Sequence, residues 1–181
     1  NGSERFDANH RFGFFPSGGL AYRISNEKFF EPLKSVVRDL KFRVTYGVVG
    51  NDQIGNVNDR FFYLSNVNLN NPVYAAAFGK DDGAPRYSRP GISIARYANP
   101  TITWERSRQL NLGMDLSLFN SFEVIVDAFR QQRSEILQPK SEIESALGLM
   151  ATPMANYGKA ESRGVDISLK YDRQFNKNWY A

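Results

Sequence analysis

Apolar and polar residues alternate strictly from Leu110 to Leu118. Leu110, Leu112, Met114, Leu116 and Leu118 fall on one parity, and Asn111, Gly113, Asp115 and Ser117 on the other. A period of two marks a β-strand with one dry and one wet face. After Phe119-Asn120-Ser121 the alternation resumes, with Val124, Val126 and Ala128 opposing Glu123 and Asp127. Asn120-Ser121 therefore predicts a tight reversal between a strand over about 102–118 and one over about 122–132. The same pattern predicts a strand over 40–50, where Leu40, Phe42, Val44, Tyr46 and Val48 oppose Lys41, Arg43, Thr45 and Gly47. Another covers 162–172, where Val165, Ile167, Leu169 and Tyr171 oppose Asp166, Ser168, Lys170 and Asp172.

The ends of the chain read less cleanly. A first strand over 11–24 carries Phe12, Phe14, Leu20, Tyr22 and Ile24 on one parity, with Arg11, Ser17 and Arg23 on the other. Pro16 and Gly18-Gly19 predict a bulge or bend within it, because proline offers no ladder donor. The stretch 25–39 loses the alternation and contains Pro32, which predicts one or two short helical turns. A turn over Arg173-Gln174-Phe175-Asn176-Lys177-Asn178 leads into a last strand at 178–181.

Between these strands lie two long irregular stretches, 51–99 and 133–160, rich in Asn, Asp, Gly and Pro. The connections are medium, very long, tight, long and tight in turn. In an up-and-down meander, that sequence puts every long loop at one end of the strands. Outer-membrane barrels show this asymmetry, with short turns on one side and long external loops on the other. The predicted fold is all-β: an antiparallel up-and-down meander, a partial transmembrane β-barrel of about 5–6 strands of a larger one.

Composition agrees with that reading without proving it. Aromatic residues make up 14% of the 181 residues, nine of them tyrosine, and flat rings suit pleated sheets. No apolar run approaches the about 18 residues of a membrane-crossing helix, which leaves barrel strands open. The net charge of +4 is mildly basic, and the chain has no cysteine and one histidine. The N-terminus lacks an apolar leader segment, and the C-terminus stops as an aromatic-rich segment begins. Both ends read as cut from a longer chain. Phe119, Phe122, Phe175, Trp179 and Tyr180 gather near the tight turns, where an interfacial aromatic girdle is expected.

The search for reactive constellations yields no catalytic, cofactor-binding or metal-binding residue. His10 lies in a polar stretch without a carboxylate partner pattern and reads as a solvent-exposed bystander. Gly47–Gly55 lacks the Lys-Ser/Thr and the following helix of a phosphate loop. Glu142 and Glu144, beside Ser141 and Ser145, read as loop surface, and Asp81-Asp82-Gly83 as a turn without the spaced acceptors of a calcium loop. More informative are the polar strand positions Lys41, Arg43, Asn111, Asp115, Glu123, Asp127, Asp166, Ser168, Lys170 and Asp172. In a barrel they line an aqueous lumen; on a soluble sheet they form its wet outer face.

The chain also carries a resemblance. "FPSGGLAYRISNEKFFEPL", "LKFRVTYGVVGNDQIGN", "RFFYLSN", "ITWERSRQLNLGMDLSLFNS" and "NYGKAESRGVDISLKY" stand in order over most of residues 11–172. This ordered set resembles the C-terminal half of the barrel in TonB-dependent outer-membrane transporters of the SusC/RagA type. Small departures are Tyr157, where an aliphatic residue is commoner, and Arg163, where Asn or Lys is more usual. The resemblance implies a large single-chain barrel with an upstream plug, energised through TonB, in the outer membrane of Gram-negative bacteria of the Bacteroidetes type. It further implies a SusD-like surface lipoprotein partner, oligosaccharide or peptide import, no nucleic-acid partner, no cofactor and no enzymatic chemistry. Substrate-binding residues are not assigned by it. The competing reading is a soluble β-sheet domain binding carbohydrate or nucleic acid, with Tyr87, Arg89, Arg96 and Tyr97 as a stacking platform. A hydrolase built on a carboxylate pair is a third.

Overall fold

A computed structural model describes residues 1–56, 58–79, 87–119, 121–143, 147–172, 174–176 and 179–180, the last two stretches by backbone alone. The strands are β1 (Ser17–Arg23), β2 (Val37–Asn51), β3 (Asn66–Phe78), β4 (Tyr87–Arg96), β5 (Glu105–Leu118), β6 (Phe122–Pro139), β7 (Met154–Tyr171), β8 (Gln174–Asn176) and β9 (Trp179–Tyr180). Five of them form one sheet in the order β1-β2-β5-β6-β7, while β3-β4 and β8-β9 each pair separately. Apart from the inserted β3-β4 hairpin, neighbours in the sheet are neighbours in the chain. This is the expected meander.

Two compact units are distinguished: Asn1–Gly13 with Asn51–Glu105 and Glu135–Gly158, and Phe14–Gly50 with Arg106–Ser134 and Lys159–Ala181. In the second unit, β5 and β6 run antiparallel in unbroken register from Leu118↔Phe122 to Arg106↔Ser134. Their reversal is closed by the Ser121 N–H donating to the Leu118 carbonyl at 3.1 Å. Phe119 takes φ 49° in this three-residue loop, a left-handed conformation that is costly for a bulky residue. Asn120 lies outside the described residues.

β1 begins only at Ser17, so residues 11–16 are not strand, contrary to the sequence pattern. Pro16 cannot donate to a ladder, but its carbonyl accepts the Val48 N–H at 2.9 Å. The stretch after β1 forms two 3-10 turns, Ile24–Asn26 and Lys28–Leu33, the second containing Pro32. β6 and β7 extend farther than their alternation predicts, to Pro139 and back to Met154.

The other difference is larger. The stretch 51–99 contains the hairpin β3-β4, whose ladder shifts register between Asn68 and Asn71 and again between Asn71 and Ala76. The side chains of Asn68 and Asn71 accept the N–H groups of Asn70 and Val73 at 2.9 and 3.0 Å, local turns that compete with the ladder. At Gly91 a Cβ would fall 2.0 Å from the Tyr74 carbonyl oxygen, so only glycine admits this approach. Such bulges scramble side-chain parity, and the period of two that identifies a strand is erased.

The first unit holds the tightly buried core. Phe6, Ile54, Phe62, Ile102 and Trp104 are buried there, with the Phe6 and Trp104 rings 5.2 Å apart. Burial of each large apolar side chain is worth about 1.5–3 kcal/mol. The Trp104 indole N–H donates to the His10 carbonyl at 3.1 Å, so His10 is half-buried rather than the exposed bystander expected. Its neighbourhood is tied by Ser3 N–H to the Arg11 carbonyl and Gly13 N–H to the Asn1 carbonyl, each 2.9 Å.

Asparagine side chains close the same unit. Asn156 accepts the Thr103 N–H at 3.1 Å and donates to the carbonyls of Thr103 at 3.0 Å and Glu135 at 2.8 Å. Glu135 takes φ 58° in β6, where the ladder yields its carbonyl to this amide. Asn99 donates to the Met154 carbonyl at 2.8 Å. Replacing Asn156 by Ala leaves backbone groups unpaired, an expected loss of about 1–3 kcal/mol. Amide exchange in the full-length protein should accelerate at residues 101–104 and 135; unchanged protection there would show that the clamp carries no weight.

Candidate functional site

The two faces of the second unit differ in chemistry. Register places Leu118, Leu116, Met114, Leu112 and Leu110 opposite Phe122, Val124, Val126, Ala128 and Arg130. On β1 and β2 the same face carries the pairs Leu20↔Val44 and Tyr22↔Phe42. It is solvent-accessible: Leu20 is 84% exposed, Leu112 49%, Ile167 66% and Leu169 75%. No second layer of described residues covers it. From Leu110 to Leu118 the strand rises about 27 Å, and at a tilt of about 40° that spans roughly 20 Å of an apolar band about 25 Å tall. At one end of this face the Phe122 and Tyr171 rings lie 4.6 Å apart, with Phe119 exposed nearby in sequence. The side chains of Phe175, Trp179 and Tyr180 lie outside the described residues.

The opposite face is a charge ladder. Arg43 on β2 reaches Asp115 on β5 at 2.7 Å and Asp127 on β6 at 3.1 Å. Lys41 approaches the other oxygen of Asp115 at 3.5 Å. To touch Asp127, the Arg43 guanidinium must cross β5, and it does so over Gly113. A Cβ at Gly113 would stand 2.6 Å from Asp127 Oδ1 and 2.9 Å from Arg43 Cζ. The missing side chain is what makes room for the pairing. Asn111 donates to the Thr45 hydroxyl at 3.2 Å, and Gln131 to the Ser107 hydroxyl at 2.8 Å. Single exposed ion pairs contribute about 0–1 kcal/mol, but a network spanning three strands also fixes their register.

Most lumenal candidates from the sequence thus stand together on one face. Glu123 lies opposite Ser117, and Lys170, Asp172 and Arg38 line a groove of about 280 Å³ with it. Asp166 and Ser168 share the parity of Lys170 on β7. The face is not uniformly polar: Ile125 lies opposite Asp115 and Phe129 opposite Asn111. The Phe129 ring packs where a Cβ of Gly164 would lie, 2.7 Å away, so the ring covers a bare stretch of β7. Alternation alone could not have distinguished this use of an aromatic residue from a lapse in the pattern.

The proposed stacking platform is divided. Arg89 lies over the Tyr87 ring at 5.7 Å, and Tyr87 stacks on Phe78 at 5.7 Å. Arg96 is committed elsewhere: it covers the Phe62 ring at 4.2 Å, pairs with Asp59 at 3.3 Å and donates to the Leu64 carbonyl at 3.2 Å. The Tyr97 hydroxyl accepts the Met150 N–H at 3.2 Å. Gly47 and Gly50 belong to β2, not to a phosphate loop. Glu142 is exposed, while Asp81, Asp82, Gly83, Glu144 and Ser145 lie outside the described residues. Among the described residues no cluster of metal-binding side chains occurs.

The Asp59 carboxyl lies below the usual carboxylate range, held there by the Asn56 N–H and, against partial burial, by the Arg96 guanidinium. The Glu4 carboxyl is likewise lowered by its hydrogen bond from Arg60 at 2.7 Å.

A sheet with one continuous apolar face and one charged face, joined by short turns at one end and long segments at the other, is the wall of a membrane β-barrel. The sequence model of the family described as "TonB dependent receptor-like, beta-barrel" matches residues 1–181. The chain belongs to this family, which locates it in the outer membrane. It is 28% identical over 93% of its length to TonB-dependent receptor P3 of Formosa agariphila, and 28% identical over 99% to TonB-dependent receptor SusC of Bacteroides thetaiotaomicron. It spans 15% and 18% of those proteins. Its fold matches the structure of the RagAB peptide transporter with a TM-score of 0.73 at 27% identity, covering 98% of this chain and 18% of that one. The closed-closed state of the RagAB peptide importer matches with a TM-score of 0.70 at 26% identity, covering 96% of this chain and 17% of that one.

In the full-length protein, Leu112→Arg should destabilise the barrel by about 2–4 kcal/mol and diminish its heat-resistant form in detergent gels, whereas Asn111→Arg on the opposite face should be tolerated. Equal behaviour of the two variants would contradict the assignment of faces. The lowered carboxyls give a signed pH dependence. The stabilisation from Asp59 and Glu4 is full above their unfolded-state values and disappears as pH falls through the lower folded-state ones. Asp59→Asn should therefore flatten the acid limb of stability of the first unit, followed by amide exchange at residues 54–62; an unaltered acid limb would contradict the pairing.

Proposed function

We propose that this chain is a wall-and-loop section of an energised outer-membrane importer, which takes up oligosaccharides or peptides too large for simple diffusion. The observation that carries the reading is the two-faced sheet: leucines on one face with no covering layer among the described residues, and the Arg43-Asp115-Asp127 ladder on the other. Hydrocarbon satisfies the first and a water-filled conduit the second. Similarity to SusC and to the RagAB peptide importer supports the substrate classes and a SusD-like surface lipoprotein as partner. Family membership supports coupling to TonB through a segment upstream of this one.

In this reading the chain performs no covalent chemistry. Its polar face contributes fixed, mutually neutralised charge, which keeps the lumen wet without a strong field that would trap one sign of solute. The long segments 52–104 and 140–153 leave the strands at the external end, where arriving substrate and the lipoprotein would meet them. A soluble β-sheet binding domain is disfavoured by the exposed leucine face, and the division of its stacking platform removes its best site.

The test is uptake by cells lacking the chromosomal gene and carrying the full-length copy. Labelled oligosaccharide or peptide should accumulate only while TonB and the proton gradient are intact. Uptake that persists after TonB depletion would identify a passive pore and contradict the proposal.

A further inference from the structure

The apolar face does not end in neutral residues at the end of the long segments. Beyond Leu110 on β5 the same parity carries Arg108 and Arg106, which register places opposite Gln132 and Ser134; Leu110 itself faces Arg130. On β7 the parity of Val165 continues through Arg163, Glu161 and Lys159. That parity is fixed by two contacts: Glu161 accepts from Arg130 at 2.8 Å and from Gln132 at 3.3 Å, while Gly164 turns to Phe129 on the other face. Arg106, Arg108, Arg130, Lys159 and Arg163 are all exposed. Glu161 is the one carboxylate among them, and Arg130 neutralises it.

Within this belt lies a groove of about 540 Å³ lined by Arg108, Gln132, Ser134, Lys159 and Glu161 among others. Arg108 and Lys159 have no hydrogen-bond or ion-pair partner among the described residues, and the one carboxylate lining the groove already has its cation. Three long cationic side chains, Arg108, Arg133 and Lys159, therefore line a groove that supplies amide and hydroxyl groups and little negative charge. A tetrahedral dianion has the complementary chemistry, since lysine and arginine both donate to phosphate oxygens.

We propose that this belt is a binding site for the phosphorylated headgroup of an anionic glycolipid in the outer leaflet, whose acyl chains lie along the leucine face below it. Position selects a lipid over a soluble anion. The groove opens on the lipid-facing side and abuts the apolar band, so a ligand with phosphate and hydrocarbon on one molecule satisfies both. Snorkelling cations alone would spread along the band edge; here Arg108 and Lys159 converge with Arg133 on one groove while the acid among them is already paired. The bound lipid would fix β5, β6 and β7 to the leaflet at the level where the long segments emerge. This inference rests on the lipid-facing reading proposed above.

The test uses the full-length protein in maltoside detergent, titrated with diphosphoryl lipid A, its dephosphorylated form and inorganic phosphate, and read by native mass spectrometry and the heat-resistant fraction on gels. The wild type should retain the diphosphoryl lipid. The double variant Arg108→Gln, Lys159→Gln should bind it about tenfold more weakly or worse while remaining heat-resistant, and Arg89→Gln should bind as the wild type does. Equal binding of the dephosphorylated lipid, or undiminished binding by the double variant, would overturn the proposal. Inorganic phosphate binding as tightly as the lipid would overturn it too, assigning the groove to a soluble anion. A wild type with no heat-resistant form would instead bring down the lipid-facing reading itself, so the two failures are distinguishable.

Discussion

Inside hydrocarbon a backbone N–H or C=O has no water to turn to, so each must be paired within the protein. A sheet meets this requirement by lateral pairing alone, which leaves the side chains to satisfy whatever lies on each side. Since successive residues point to opposite faces, a strand between lipid and water is obliged to alternate. The unbroken register from Leu118↔Phe122 to Arg106↔Ser134 is this constraint made visible. A one-residue slip would carry Asp115 and Asp127 into the lipid and the leucines into the lumen.

Apolar burial cannot set the register of such a wall by itself, because every alternating strand presents the same stripe. The polar face supplies the discrimination. Arg43 holds carboxylates on two other strands at 2.7 and 3.1 Å, which is possible only where β5 offers the gap at Gly113. The glycine and the arginine are thus one device read from two strands. The first unit uses different means: a small apolar core around Phe6, Phe62, Ile102 and Trp104, and asparagine amides that stand in for missing ladder bonds.

The same distinction explains what was legible in the sequence. The regular ladder of β2, β5, β6 and β7 announces itself through parity, and so does the polar face, because lipid tolerates few exceptions. The hairpin β3-β4 does not. Its bulges at Asn68, Asn71 and Ala76 reset the parity every few residues, and its side chains serve no single solvent. Phe6 was equally hidden, since a core built from residues far apart in an irregular chain leaves no periodic trace. Ile102 and Trp104 keep the even parity of the strand expected over 102–118, yet β5 begins only at Glu105 and both are buried in the core of the first unit. For His10, a polar neighbourhood in sequence concealed a backbone carbonyl that serves the Trp104 indole. The start of β1 was misplaced because Phe12 and Phe14 happen to keep the parity of Leu20 through a segment that Pro16 separates from the ladder.

The central claim is that the leucine face of β5 lies against lipid and the opposite face against water. Spin labels placed singly at 110 through 118 in the full-length protein, reconstituted in bilayers, test it most directly by their collision with oxygen and with a water-soluble nickel complex. The account predicts a two-residue period, with even positions favouring oxygen and odd positions nickel, in opposite phase. Labels at 112, 114 and 116 that collide with neither, as in a packed protein interior, would contradict it.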